Sequence, residues 1–259
     1  GQGTRELLNI QLENQVGGNV IAFPLAPGRL AGFGEDAMNE ALVNVEGVQY
    51  RTRLMGYDTE LTQINGQPVA RPDDDERRFF ELTPQERAVF FWDRTTVWDS
   101  DNPAIYERYT MAAGRRLTPD DRGQRVLIGS QEQAALLGIE VGSVISYQIG
   151  NQRLNFEVVG LIADTGALSG GGDTVIVPPG NLDRNPSDFT LYTYQVEDSQ
   201  VNTALVALTA IQFPPTFALD VHFVDSLVSR IIDQFAAIPT VVALLSLLAA
   251  AIIMANTVA

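Results

Sequence analysis

The chain has 259 residues, of which 45% are hydrophobic, and its 17 basic and 32 acidic side chains give a formal net charge of −15. The hydrophobic content is enough for one large or two small folded cores, which argues against a disordered chain. The negative charge has the wrong sign for gripping nucleic-acid phosphates, so we expect no nucleic-acid partner.

Three residue types limit the chemistry that this chain can perform. Every basic residue is arginine, cysteine is absent, and His222 is the single histidine. Without lysine there is no Walker A motif and no Schiff base, and without cysteine there is no thiol nucleophile and no ordinary cysteine/histidine zinc site. His222, Asp225 and Ser226 lie on one helical turn and point apart, which argues against a catalytic triad. We therefore expect no catalytic, cofactor-binding or metal-binding residues, and predict that the protein is not an enzyme.

The first third of the chain alternates between strand and helix patterns. Residues 19–23 are typical of a strand, residues 35–45 of a helix, and residues 48–62 of one long strand or two short ones. Asn65-Gly66 predicts a tight hairpin, because both central positions of that turn need a positive φ.

Two segments imitate ligand-binding motifs. The charged run 71–78 fails the calcium-loop pattern, which needs an acidic or amide residue at Arg77 and a glycine at Arg78. Gly170-Gly171-Gly172 precedes a strand pattern and Pro178-Pro179 instead of opening a helix, so we expect a flexible loop and not a phosphate cradle. Neither segment is taken as a site.

Aromatic residues concentrate in two short segments, 88–92 and 95–98, which we predict to be strands. Four of their side chains form our candidate surface for cargo or lipid contact: Phe90, Phe91, Trp92 and Trp98. The alternative is that these aromatics belong to the core, as aromatic strand residues commonly do.

The second half of the chain is also of mixed type. A strand pattern at 125–128 runs into a helix pattern at 131–137 that ends at Gly138, and Gly150-Asn151 predicts another hairpin. Further on, 189–196 is typical of a strand, 201–211 of an amphipathic helix, and 217–221 of a last strand.

The end of the sequence is apolar and uncharged. Asp233 is the last charged residue, and 240–259 as a helix would rise about 30 Å, one hydrocarbon thickness. We predict a transmembrane helix at 235–259, the alternative being a buried core helix. Position 1 is glycine, and no leader precedes the helix pattern that Thr4 can cap, with Leu8, Leu12 and Val16 on one stripe; we therefore interpret the sequence as an internal fragment.

Short motifs follow one another in a fixed order between Tyr109 and Leu182. They are Gly114-Arg115-Arg116-Leu117 with Asp120-Asp121, Val126-Leu127-Ile128-Gly129-Ser130, Leu136-Leu137-Gly138, Val141-Gly142-Ser143, Phe156-Glu157-Val158-Val159-Gly160 and Asp173-Thr174-Val175-Ile176-Val177-Pro178. This order resembles the extracytoplasmic domain of the MacB/FtsX-type permeases of ABC transporters. Residues 1–20 are similar to the segment after that family's first membrane helix, and residues 252–258 to the end of its second.

The resemblance implies an α+β fold. Residues 1–65 and 187–234 would form a membrane-proximal mixed α/β subdomain, and residues 66–186 an inserted β-rich lobe, together the extracytoplasmic domain 1–234. The helix leading from Val221 into residues 240–259 would be the mechanical link to the membrane.

The resemblance also implies a function. Permeases of this family form homodimers or heterodimers, bind a cytoplasmic ABC ATPase subunit, and transmit ATP-driven dimer closure to their outer domain in the processes of export, lipoprotein release or cell-wall hydrolase regulation. Residues 1–234 would then lie on the periplasmic or extracellular side, with an adaptor or lipoprotein as a further candidate partner. The alternatives from the residues alone are a membrane-anchored carboxylate enzyme, or a soluble ligand-binding or adhesion module.

Overall fold

The structure is a computed structural model that describes residues 13, 16–25, 31–71, 79–163, 175–224, 226 and 230. The chain divides into two compact units. Unit 1 comprises Gly1–Arg53, Ser100–Asn102 and Leu191–Ala259, and unit 2 comprises Leu54–Asp99 and Pro103–Thr190. The principal divisions between the two units follow residues 53 and 190.

The described elements are four α-helices, twelve strands and short 3-10 turns. The helices are α1 (Ala31–Leu42), α2 (Pro84–Trp92), α3 (Gln131–Leu137) and α4 (Val201–Thr209). The strands are β1 (Val20–Pro24), β2 (Val48–Asp58), β3 (Glu60–Ile64), β4 (Gln67–Pro68), β5 (Arg94–Ser100), β6 (Met111–Gly114), β7 (Val126–Ser130), β8 (Val144–Ile149), β9 (Gln152–Ile162), β10 (Val175–Val177), β11 (Phe189–Val196) and β12 (Thr216–Asp220). This content confirms a mixed α/β class dominated by sheet.

Unit 1 is built around β1, which pairs antiparallel with β11 on one side and with β12 on the other. Side chains alternate along β1, so that Val20 and Ala22 are buried while Ile21 and Phe23 lie on the other face. The buried face packs against α1 and α4, which contribute Met38, Leu42, Val201, Ala204 and Leu208. The apolar face of β1, which repeats every second residue, and the apolar faces of helices α1 and α4 thus pack together in one core.

Unit 2 has a mixed sheet in the order β5-β10-β7-β9-β8-β3-β4, with β6 paired to β9. β10 is parallel to β5 and antiparallel to β7, whereas β7 is parallel to β9. The core of this sheet includes Trp92, Leu127, Ile145, Tyr147, Phe156, Val158 and Val175.

The predicted turns and helix ends of unit 2 are confirmed. Asn65 and Gly66 have φ values of 51° and 79° and join β3 to β4, and Gly150, at 54°, lies in the turn between β8 and β9. Ser130 caps α3 by accepting the N–H of Gln133, and α3 ends at the left-handed Gly138.

The predicted strand at 88–92 is wrong, because these residues form the end of helix α2. Thr83 caps this helix by accepting the N–H of Glu86 at 3.2 Å, and Pro84 occupies its first turn. The buried positions Ala88, Val89 and Trp92 follow helical spacing. Capping and a helical buried face therefore outweigh the strand propensity of the aromatic residues.

None of the helices within the described part of the chain is long and apolar enough to cross a membrane. The predicted span at 235–259 lies outside the described residues, as do the glycine run 170–172 and residues 72–78 of the charged run.

Candidate functional site: the junction of the chain ends

The segments that enter and leave the folded domain meet at one edge of unit 1. In the antiparallel pair β1/β12, Val20 lies opposite Asp220 and Ala22 opposite Ala218. The first residue of β1 is therefore level with the last residue of β12. We call Glu13, Asn19, Val196 and residues 220–222 the chain-end junction.

Asn19 fixes this junction with its side chain and its backbone. Its Nδ2 donates to the carbonyl oxygen of Val196 at 2.6 Å, and its Oδ1 accepts the N–H of Val196 at 2.9 Å. Its own carbonyl oxygen accepts the N–H of Val221 at 2.9 Å. Asn19 is fully buried, so these bonds satisfy polar groups that water does not reach. One residue thus ties the start of β1 to the end of β11 and to the segment after β12.

His222 forms a second, more exposed connection across the junction. Its Nε2 lies 2.7 Å from Oε1 of Glu13, and its Nδ1 lies 3.2 Å from Oδ1 of Asp220. The same Asp220 oxygen accepts the backbone N–H of His222 at 2.8 Å, which is the position of a helix N-cap at the start of the helical residues 221–224. An imidazolium donates to both carboxylates at once, since both ring nitrogens then carry a proton.

Sequence reasoning did not find this junction. Asn19 was assigned to a strand and His222 was considered only as part of a catalytic triad. The partners Asn19 and Val196 are 177 positions apart, so no local pattern reports their contact. A local signal did exist for Asp220, because an aspartate directly before a helical segment is a common N-cap.

The four aromatic residues of the candidate contact surface are not placed together at the surface. Trp92 is fully buried and Trp98 is 1% exposed, while Phe90 is 40% exposed and Phe91 half-buried. The Oη of Tyr147 donates to the carbonyl of Trp92 at 2.6 Å, and the guanidinium of Arg108 lies 4.3 Å from the Trp98 ring centre. The two tryptophans belong to the interior of unit 2, and contact of Phe90 or Phe91 with cargo or lipid stays a prediction.

The described carboxylates include one pair that shares an arginine. Arg71 donates to Oδ2 of Asp93 at 3.0 Å and lies 3.9 Å from Glu60, while Asp93 also accepts the N–H of Leu61 at 2.8 Å. Burial raises the pKa of Asp93, although the hydrogen bonds from Arg71 and Leu61 lower it. Arg71 also donates to the carbonyl of Leu61 at 3.0 Å, so this cluster fastens the end of α2 to β3.

Histidines and carboxylates do not converge into a metal-binding cluster of three or more anywhere among the described residues.

Comparison with known proteins gives little guidance. No family model matches the chain, and no curated protein matches it. Among solved structures, the chain is similar to a domain of a protein named as a permease from Porphyromonas gingivalis. The identity is 13% and the TM-score 0.41, over 70% of this chain and 79% of that one. At this level of similarity the match carries no functional argument.

Proposed function

We propose that the chain is the extracytoplasmic domain of an ABC transporter permease of the MacB/FtsX type, and that it couples ATP-driven closure of a permease dimer to movement outside the membrane. The observation that carries this proposal is the side-by-side placement of the start of β1 and the end of β12. The ordered motifs between Tyr109 and Leu182 and the uncharged segment 235–259 support it from the sequence.

A domain inserted between two membrane helices must receive and return the chain at nearly the same place. Neighbouring strands lie about 5 Å apart, and packed helices lie about 8–10 Å apart. The register that sets Val20 opposite Asp220 therefore delivers the two flanking segments at a separation that two packed helices can accept. If the chain entered and left such a domain at opposite sides, one of the two membrane helices could be reached only through a long connecting segment.

The bonding at the junction is suited to transmitting a displacement. Movement of the segment after β12 acts on the N–H of Val221, which is bonded to Asn19, and Asn19 is bonded in turn to Val196 at the end of β11. Because Asn19 is buried, breaking these bonds without replacement leaves unsatisfied polar groups, at a cost of about 1–3 kcal/mol for each group. Movement that preserves the bonds is therefore passed to the sheet of unit 1.

Under this proposal, several partners act through regions outside this chain. A cytoplasmic ABC ATPase subunit supplies the work, and a second permease completes a homodimer or heterodimer. Residues 1–234 lie on the periplasmic or extracellular side, where an adaptor or lipoprotein is the candidate partner. The role served is export, lipoprotein release or regulation of a cell-wall hydrolase.

The side of the membrane can be tested with single cysteines, because the chain has none of its own. Asn151→Cys and Asn202→Cys lie on exposed positions of unit 2 and unit 1, and Ala204→Cys is a fully buried control on the same helix as Asn202. We expect a membrane-impermeant maleimide to label both exposed cysteines in intact cells and to leave the buried one unlabelled. Labelling of the exposed positions only after permeabilisation contradicts the proposal.

The coupling can be tested by hydrogen exchange in membranes that contain the full-length permease and its ATPase. We expect exchange at the amides of Val196 and Val221 to change on addition of ATP and to stay unchanged with ADP. Identical exchange in both states, in a preparation that hydrolyses ATP, contradicts mechanical coupling through the junction.

A further inference from the structure

We propose that unit 2 contains a binding site for a phosphate group carried on a small hydroxylated molecule or headgroup. The site is a half-open cavity of about 470 Å³ at one edge of the unit 2 sheet. It is lined by Arg125, Arg153, Arg184, Gln152, Asn181 and Asn185. This inference is independent of the transport function proposed above.

The topology of the sheet brings these residues together. Arg125 directly precedes β7, and Gln152 and Arg153 begin β9, which runs parallel to β7. β10 is antiparallel to β7, so the segment that follows β10, with Asn181 and Arg184, returns to the edge where β7 begins. The arginines are distant in sequence and meet only because two strands start and one ends at this edge.

The wall next to β10 is held by hydrogen bonds. Asn181 donates from Nδ2 to the carbonyls of Gln124 at 2.9 Å and Pro178 at 3.3 Å. The N–H of Gly123 donates to the carbonyl of Pro179 at 2.7 Å. Gly180, with φ of 93°, would bring a Cβ within 3.1 Å of Gly123, so the backbone there is packed as closely as glycine permits. The backbone wall of the cavity is therefore closely packed, whereas Arg125, Arg153 and Arg184 are exposed residues that border it.

The charge of the cavity opposes that of the whole protein. The chain has nearly two carboxylates for each arginine, yet the lining has three arginines and no carboxylate. Elsewhere arginines are paired, as in Arg53 with Glu35, Arg115 with Asp121 and Arg122 with Asp99. Arg125, Arg153 and Arg184 form no ion pair with the described carboxylates.

One carboxylate, that of Asp183, lies beside the lining and is bonded to its backbone. Oδ1 of Asp183 accepts the N–H of Gly180 at 2.7 Å, and Glu157, further along β9, acts on Arg115. The ring of Phe156 lies 5.7 Å from the guanidinium of Arg125 and supports it from one side. The three positive charges are thus available to an anion that enters the cavity.

The lining favours phosphate over other anions. Guanidinium groups match the spacing of phosphate oxygens and bind them through paired hydrogen bonds. Three arginines balance a phosphate monoester, which carries nearly two negative charges, better than a single carboxylate. The amides of Gln152 and Asn185 suit hydroxyl groups, and Leu154 is the one apolar side chain of the lining, so the cavity lacks a platform for an aromatic base.

The test uses the full 259-residue chain, purified in an uncharged maltoside detergent, with glycerol 3-phosphate and inorganic phosphate as probes. Isothermal titration at low salt is expected to show saturable binding that weakens with added salt. Arg153→Gln and Arg184→Gln should each weaken binding at least 10-fold. The control is Arg94→Gln, which removes the same charge from an exposed position that begins β5 and should alter the affinity less than twofold.

Three outcomes overturn the proposal: no saturable binding of either probe, equal weakening by Arg94→Gln, or citrate binding as tightly as glycerol 3-phosphate with the same dependence on Arg153 and Arg184. If the proposal survives these tests, flotation with vesicles that contain phosphatidic acid, whose headgroup is a phosphate monoester, identifies the source of the phosphate. Vesicle binding that is lost in Arg153→Gln supports a lipid headgroup, and binding of glycerol 3-phosphate without vesicle binding supports a soluble phosphate.

Discussion

Asn19 and Val196 exchange two hydrogen bonds in which the amide side chain of one residue takes the place of a strand backbone. Nδ2 of Asn19 donates to the Val196 carbonyl at 2.6 Å, and the Val196 N–H donates to Oδ1 at 2.9 Å. This is the pattern of a hydrogen-bonded antiparallel pair, continued by one side chain beyond the pairing of β1 with β11. It closes unit 1 at the place where the chain enters and leaves.

Replacing this side chain should be costly. Asn19→Ala leaves the buried N–H and C=O of Val196 without partners, so we expect it to lower the free energy of unfolding by about 2–4 kcal/mol. Urea unfolding followed by far-UV circular dichroism, with hydrogen exchange at the Val196 amide, measures the loss. The control Asn151→Ala removes the same amide from an exposed turn and should cost less than about 0.5 kcal/mol. Equal effects of the two substitutions would refute the role assigned to Asn19.

Asp220 should act as a helix cap more than as a charge. Its Oδ1 accepts the His222 N–H at 2.8 Å, and the contacts of the imidazole with carboxylates are partly exposed, with 34% of the imidazole side chain accessible. Asp220→Ala should therefore speed hydrogen exchange at the His222 amide about fivefold, the equivalent of about 1 kcal/mol. Asp220→Asn keeps an acceptor oxygen and should change it much less. A large effect of Asp220→Asn would show that the negative charge of Asp220 matters more than its acceptor oxygen.

Gly114 should tolerate alanine less well than Gly66. Both residues have positive φ, 68° and 79°, but a Cβ on Gly114 would overlap the carbonyl oxygen of Val159, whereas a Cβ on Gly66 meets nothing within 4 Å. Gly66→Ala should cost about 1 kcal/mol for the backbone conformation alone. Gly114→Ala should cost at least about 2 kcal/mol more, because β6 must move away from β9. Thermal unfolding of the two variants tests the difference, and similar midpoints would argue against a close approach of β6 to β9.

Asp121 should make unit 2 sensitive to acid. Burial alone would raise its pKa, but hydrogen bonds from Arg115 at 2.9 and 3.0 Å and from the Thr118 N–H at 2.8 Å together hold the pKa below its usual range. The folded state therefore binds fewer protons than the unfolded state, whose aspartate pKa is about 3.9. The stabilisation is present above that pH and is lost as the pH falls through the folded pKa. As the pH is lowered, the free energy of unfolding should accordingly fall less steeply for Asp121→Asn than for wild type, which urea unfolding at a series of pH values would measure.

The pKa of Asp93 shifts in the opposite direction to that of Asp121, so Asp93 should affect the pH dependence of stability with the opposite sign. Burial raises its pKa, so the folded state binds more protons than the unfolded state between the two pKa values. Its contribution to stability therefore decreases as the pH rises through that window, opposite in sign to that of Asp121. A steeper acid loss for Asp121→Asn than for wild type would contradict the assignment of the Arg115 contact as stabilising.

Local sequence determined the elements whose geometry depends on a few neighbouring residues. The hairpin at Asn65-Gly66 and the left-handed end of α3 at Gly138 need positive φ, and the residue types that accept it are visible in the sequence. The strand β1 and the helix α4 follow from hydrophobic period. The helix α2 was also readable, since Thr83, Pro84 and Glu86 form a helix N-terminus, but the aromatic residues that follow were interpreted as a strand.

The sequence by itself thus determined the mixed α/β class, the absence of lysine and cysteine, and an uncharged apolar segment after Asp233. Only the tertiary structure decided that Asn19 meets Val196, that Trp92 and Trp98 are buried, and that Arg125, Arg153 and Arg184 face one cavity. The physical reason is that propensity and periodicity act over a few residues, whereas strand order and register set which distant side chains are neighbours. In this protein both the chain-end junction and the arginine cavity depend on strand pairing.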